Sequence, residues 1–155
     1  MRWETCREDF LWDGALRDIY ITPATVEDWQ AVYSSVLSLD GKYSVDGVAQ
    51  QPPARVEGVF EARQSGAPVL AIRVGRTIAV FHFFSEGEIE CDIDPREVTS
   101  QADLDAVLSL MRQLGDATKK QVILTYENCS NSPLLSYLPT TQEFRKCEPP
   151  SSDGA

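Results

Sequence analysis

Closely spaced cysteine pairs are missing from this sequence. Its four cysteines, Cys6, Cys91, Cys129 and Cys147, stand far apart, and none forms the Cys-x-x-Cys pair on which most zinc sites are built. His82 is the lone histidine. No metal site is therefore expected, and the cysteines read as free thiols, with Cys91 half-buried in a strand. Walker and dinucleotide glycine patterns are absent, as is a GxSxG elbow, so no cofactor is expected. No apolar run nears the roughly 20 residues of a membrane span. The opening MRWETCREDF holds acids and no apolar core, which does not suit a secretory signal; a cytoplasmic location is the expectation. Basic residues are also scarce, 14 Lys and Arg against 24 Asp and Glu, for a net charge of −10. That balance disfavours nucleic acid and anionic membranes, whose affinity comes from Lys and Arg, and favours a basic protein partner.

What is present suits a folded α+β protein. The 155 residues can bury a core without staples and read as one domain over 1–146, followed by a disordered tail, 147–155 (CEPPSSDGA). LRDIYI (16–21) reads as a strand. Thr25 and Asp28 have capping-box spacing, and Val26, Trp29, Tyr33, Val36 and Leu37 follow at helical spacing, which predicts a helix over 25–38 stopped by Asp40-Gly41. KYSV (42–45), between two Asp-Gly turns, reads as a short edge strand. The centre, 56–94, reads as an antiparallel meander: VEGVFEA (56–62), PVLAIRV (68–74), a two-residue turn at Gly75-Arg76, TIAVFHFF (77–84), and EIECDID (88–94), ended by Pro95. Ser100 and Asp103 repeat the capping pattern ahead of Leu104, Val107, Leu108, Met111 and Leu114, predicting a helix over 100–114 with Gly115 as its stop. QVILTY (121–126) is an apolar, central strand. Sequential hairpins with two amphipathic helices imply a sheet with both helices on one face.

The stretch EGEIECDIDP (86–95) carries the sharpest signal. Residues two apart on a strand share a face, roughly 6.8 Å apart. Ile89, Cys91 and Ile93 are then expected to face the core, while Glu88, Glu90, Asp92 and Asp94 form an outward column with Glu86 just above it. A polar outer face is ordinary for an antiparallel sheet; four carboxylates with no Lys or Arg between them are less so. Neighbours at this spacing repel by only about 0.6 kcal/mol in water. A divergent column does not suit calcium or magnesium, and no apolar pocket is apparent that would split two carboxylates into acid and base. A basic partner fits best, which makes Glu86, Glu88, Glu90, Asp92 and Asp94 the candidate contact residues. His82 shares its side of the strand with Ile78, Val80 and Phe84 and reads as a satisfied, mostly buried histidine. Two alternatives remain: a small enzyme pairing His82 with Cys91, Cys129 or a carboxylate, and a ligand-binding regulatory module with a pocket between helix and sheet. YENCSNSP (126–133) is a polar loop at a strand end, and Trp3, Phe10 and Trp12 are candidate core aromatics.

The stretch 58–84, GVFEARQSGAPVLAIRVGRTIAVFHFF, with Pro68, Leu70, Ile72 and Val74, a short turn, and Ala79 to Phe83, resembles the central hairpin of immunity proteins that neutralise deaminase toxins in bacterial polymorphic toxin systems. The later order of acidic strand (88–94), helix (100–114), Gly115 and apolar strand (121–126) is similar too. The resemblance covers about half of the chain. It implies a stoichiometric inhibitor, non-catalytic and cytoplasmic, that blocks a nucleic-acid-acting toxin domain.

Overall fold

The computed structural model describes residues 1–148. Its framework is a nine-stranded, wholly antiparallel sheet: β1 (Arg17–Ile21), β2 (Lys42–Val45), β3 (Val48–Ala49), β4 (Pro68–Val74), β5 (Thr77–Ser85), β6 (Glu88–Ile93), β7 (Val122–Tyr126), β8 (Pro133–Leu138) and β9 (Glu143–Lys146). The order across the sheet is β3-β2-β4-β5-β6-β1-β7-β8-β9. Four helices, α1 (Trp3–Cys6), α2 (Val26–Ser38), α3 (Val56–Ala62) and α4 (Gln101–Thr118), complete the α+β fold.

The two long helices form where capping and periodicity put them. Thr25 Oγ1 accepts from the Asp28 amide and the Asp28 carboxylate accepts from the Thr25 amide, a reciprocal capping box whose threonine stabilises α2 by about 1 kcal/mol. Trp29, Val32, Tyr33 and Val36 then bury one stripe. On α4 the Ser100 hydroxyl accepts from the Asp103 amide, and Leu104, Val107, Leu108, Met111 and Leu114 turn inward. Both helices and α3 lie on one side of the sheet. Trp29 stacks on Phe83 of β5 at 4.7 Å, and Phe60 of α3 meets both rings edge-on. The core on this side includes Ile19, Ile21, Phe81, Phe83, Ile89, Cys91, Ile93, Leu124, Leu135 and Tyr137.

Four expectations change. VEGVFEA is the helix α3, not a strand, so the meander begins at Pro68 rather than 56. Val56 and Val59 are buried and Phe60 packs beside them, an i, i+3, i+4 set, and Gly58 lets Pro53 approach where a Cβ would stand 2.8 Å from it. KYSV is not the edge strand: Asp46 and Gly47, both at positive φ, turn the chain into β3, which takes the edge. Gly115 does not stop α4, which continues to Thr118 and ends at left-handed Lys119. It is instead a contact point, since a Cβ there would lie 2.6 Å from Tyr137 Cδ1. Cys91 is fully buried rather than half-buried. β8 and β9 extend the sheet beyond the apolar strand β7, where no further strand was expected. Of the expected tail, 149–155 lies outside the described residues, and the Cys147 amide donates to the Leu134 carbonyl at 2.8 Å. The Gly75-Arg76 hairpin stands as expected, with Gly75 at φ +61 and Val74 paired to Thr77.

Among the described residues no helix is long and apolar enough to cross a membrane.

Candidate functional site

The site grows from the alternation of β6. Ile89, Cys91 and Ile93 are buried against the helices, while Glu88, Glu90 and Asp92 point to the opposite, helix-free face. β6 lies between β5 and β1, so register decides what stands beside each carboxylate. Glu90 sits between His82 of β5 and Tyr20 of β1, and Asp92 between Val80 and Asp18. Asp18 and Asp92 are thus directly opposed across two strands, a like-charge pairing that disfavours the sheet unless each charge is answered.

Both are answered locally. Asp92 Oδ2 lies 2.6 Å from His82 Nε2. That hydrogen bond holds the His82 proton more tightly than usual and outweighs the opposing effect of burial. Asp18 Oδ2 accepts from the Tyr20 hydroxyl at 2.9 Å and from the Asn128 amide at 2.7 Å. The second bond ties the 127–132 loop down over this face, with Asn128 in the left-handed conformation. Asp18 and Tyr20 end 2% and 4% exposed, although they sit on the side without helices. Burial and the neighbouring Asp18 push the Tyr20 phenol far above its ordinary range. Among the described residues no cation bonds to Glu90; burial, reinforced by Asp18, raises its carboxyl against the opposing pull of His82 across the strand pair.

The expected column is reshaped. Glu88, Glu90 and Asp92 stay together and gain Asp18. Asp94 leaves the line: it caps the helical turn at Pro95–Glu97 and forks onto Arg96 through contacts of 2.7 and 3.0 Å. Glu86, in the turn before β6, borders a hollow with Phe60 and Arg63, on the helix side. His82 does share the carboxylate face, but the Cys91 thiol points the other way into the core, where burial raises it. A Cys91–His82 pair does not form. Cys129 is exposed in the loop. Of the three N-terminal aromatics, Phe10 is core, Trp3 packs on it at 5.9 Å, and Trp12 is half-exposed under the Arg96 guanidinium.

Asp18, Tyr20 and Phe84 are the residues that strand alternation on β6 could not supply. Phe84 is 56% exposed and lies parallel to the His82 ring, with centroids 5.0 Å apart. The hollow nearest the cluster, about 480 Å³, lies between Tyr20, Ile123, Lys120, Ser130 and Pro133. Among the described residues no group of three or more His, Cys, Asp or Glu side chains is arranged to hold a metal ion.

Compared with known proteins, the chain matches no family model, no curated protein and no solved structure at a significant level.

Proposed function

We propose that this chain is a non-catalytic interaction protein that binds a basic protein through the outer face of β6, in the manner of an immunity-type inhibitor occupying the nucleic-acid cleft of a toxin domain. One observation carries the reading. On the outward sides of β5, β6, β1 and β7, Glu88, Glu90 and Asp92 gather with His82 as the single basic side chain, backed by the buried Asp18, and among the described residues no helix covers them. A net charge of −10 extends that field over the molecule and would speed encounter with a cationic surface. The partially buried Glu90 adds a specific incentive: a cation brought beside it adds to the attraction of His82, which burial and Asp18 together outweigh.

The test begins with a basic partner that co-purifies from the native cell or is encoded beside this chain. Association rates are measured by stopped flow at low salt and near 0.5 M. The variant E88Q/E90Q/D92N should associate several-fold more slowly at low salt, and the difference should shrink at high salt, where the screening length falls to a few ångströms. Equal rates at low salt would reduce the face to a wet sheet surface.

A second reading rests on the His82–Asp92 pair, which has the geometry of a base and its orienting carboxylate. A small enzyme would need a substrate hollow over His82. Incubation of the pure protein with ester, phosphoester and nucleoside substrates, wild type against His82→Ala, separates the two: turnover abolished by the substitution supports the enzyme.

A further inference from the structure

We propose that Phe84 and Glu88 form the seat for an arginine of the partner, a commitment that rests on the acidic-face reading above. Phe84 is the most exposed aromatic ring on the helix-free face and lies on the part of β5 that opposes Glu88–Glu90: His82 pairs with Glu90 and Ser85 with Glu88, across a register shift. One side of the ring is taken by His82, parallel to within 2°, whose charge Asp92 balances. With Phe84 56% exposed, the ring remains accessible to a partner. A flat cation with donors along its edge can cover that ring while donating to a carboxylate, and guanidinium has that shape where ammonium does not.

The chain already builds such a trio twice among the described residues, at Arg96 and at Arg17, which donates to Asp13 at 3.1 Å. Arg96 lies 4.1 Å over the Trp12 ring centroid while its Nε and terminal nitrogen donate to Asp94 at 3.0 and 2.7 Å. Arg17 and Arg112 also lie over rings, those of Tyr126 and Phe144. Phe84 has the ring and the neighbouring carboxylates, but no arginine among the described residues lies over it. Charge complementarity thus calls for a guanidinium from outside. Ile78, 45% exposed, and Val80 continue the apolar line along β5, so the partner segment would run along this strand with its arginine at the Phe84 end. Aromatic and arginine side chains that meet across an interface are common hot spots.

Blocked tetra-arginine and tetra-lysine peptides serve as probes, titrated at low salt into isotope-labelled protein and followed by NMR. Wild type should bind the arginine peptide more tightly than the lysine peptide. Phe84→Leu, an exposed change that spares the core, should weaken the arginine peptide roughly two- to fivefold and the lysine peptide less. If the two peptides bind wild type equally and Phe84→Leu alters neither, the arginine seat is overturned; E88Q/E90Q/D92N weakening both equally would then leave the acidic face standing. If that triple variant binds both peptides as well as wild type, the acidic-face reading fails and takes the arginine seat with it.

Discussion

The helix-side and outer faces of β6 carry three side chains each, yet they are held by different means. Ile89, Cys91 and Ile93 are buried among aliphatic and aromatic neighbours, and each isoleucine stabilises the fold by about 1.5–3 kcal/mol through area removed from water. Such packing is insensitive to pH and salt. Glu88, Glu90 and Asp92 occupy the same strand and the same sheet, but their state depends on individual answers: His82 for Asp92, the loop amide and Tyr20 for the facing Asp18, and for Glu90 only the unbonded attraction of His82 across the strand pair. One face contributes stability. The other retains unspent electrostatic demand, the property a binding surface needs.

The sharpest way to break this contrast is to move a carboxylate from one face to the other. Ile93→Asp should destabilise by several kcal/mol, because it places an unpaired charge in the core, and urea denaturation reads it directly. A shift within about 0.5 kcal/mol would mean that the two faces are not chemically distinct.

Next in size is Gly115→Ala, on the helix that covers the buried face. The new methyl group meets the Tyr137 ring, and overpacking of this kind costs about 1–3 kcal/mol. A Gly115 that merely stopped a helix would tolerate or welcome alanine, so a rise in melting temperature would sink the contact.

The outer face should respond to pH where the inner face does not. The folded chain holds the His82 proton more tightly than the unfolded chain, whose ordinary value is 6.5. The His82–Asp92 bond therefore stabilises fully below that pH, and its contribution fades as pH rises through the higher folded-state value. Asp92→Asn should be less stable than wild type near pH 5.5, with the gap closing towards pH 9, and the His82 ring should titrate lower by NMR. Parallel stability curves would remove the ion pair from the account. Smallest of all, Glu90→Gln should raise the melting temperature slightly at pH 7, since it removes a charge that burial and Asp18 disfavour; a lowered temperature would show that the attraction of His82 outweighs both.

The meander of β4, β5 and β6 was legible in the sequence because its turns are local and its period of two is clean: Pro68 to Val74, Gly75-Arg76, then Thr77 onward. The inward set Ile89, Cys91 and Ile93 followed from the same alternation. VEGVFEA misled because Val56, Phe60 and Ala62 also satisfy a period of two if Gly58 is allowed as a member. Packing against Pro53 and Phe83 favours the helix instead. Gly115 misled because glycine after an apolar stripe is a common terminator, and only the position of Tyr137 shows its other use. For the site, three of the five candidate carboxylates lie together as alternation demands. Asp94 was separable in principle, since Asp-Pro-Arg is a local turn with a built-in cation. Asp18 and Tyr20 were not: they reach Asp92 and Glu90 by pairings 74 and 70 residues apart, which no local pattern encodes.

That pairing has a consequence for how the chain acquires its shape. β1 lies between β6 and β7, bonded to segments that follow it by about 70 and more than 100 residues. During synthesis it emerges well before either neighbour exists, and the hairpins β4–β5–β6 and β7–β8–β9 can each assemble without it. Until β1 inserts, β6 and β7 present two open edges in the middle of the future sheet, the kind that recruit strands from other molecules. Such long-range closure makes for slow folding. A chain lacking its first 24 residues should then behave as an acceptor awaiting its strand, one that a synthetic peptide of the same sequence could complete.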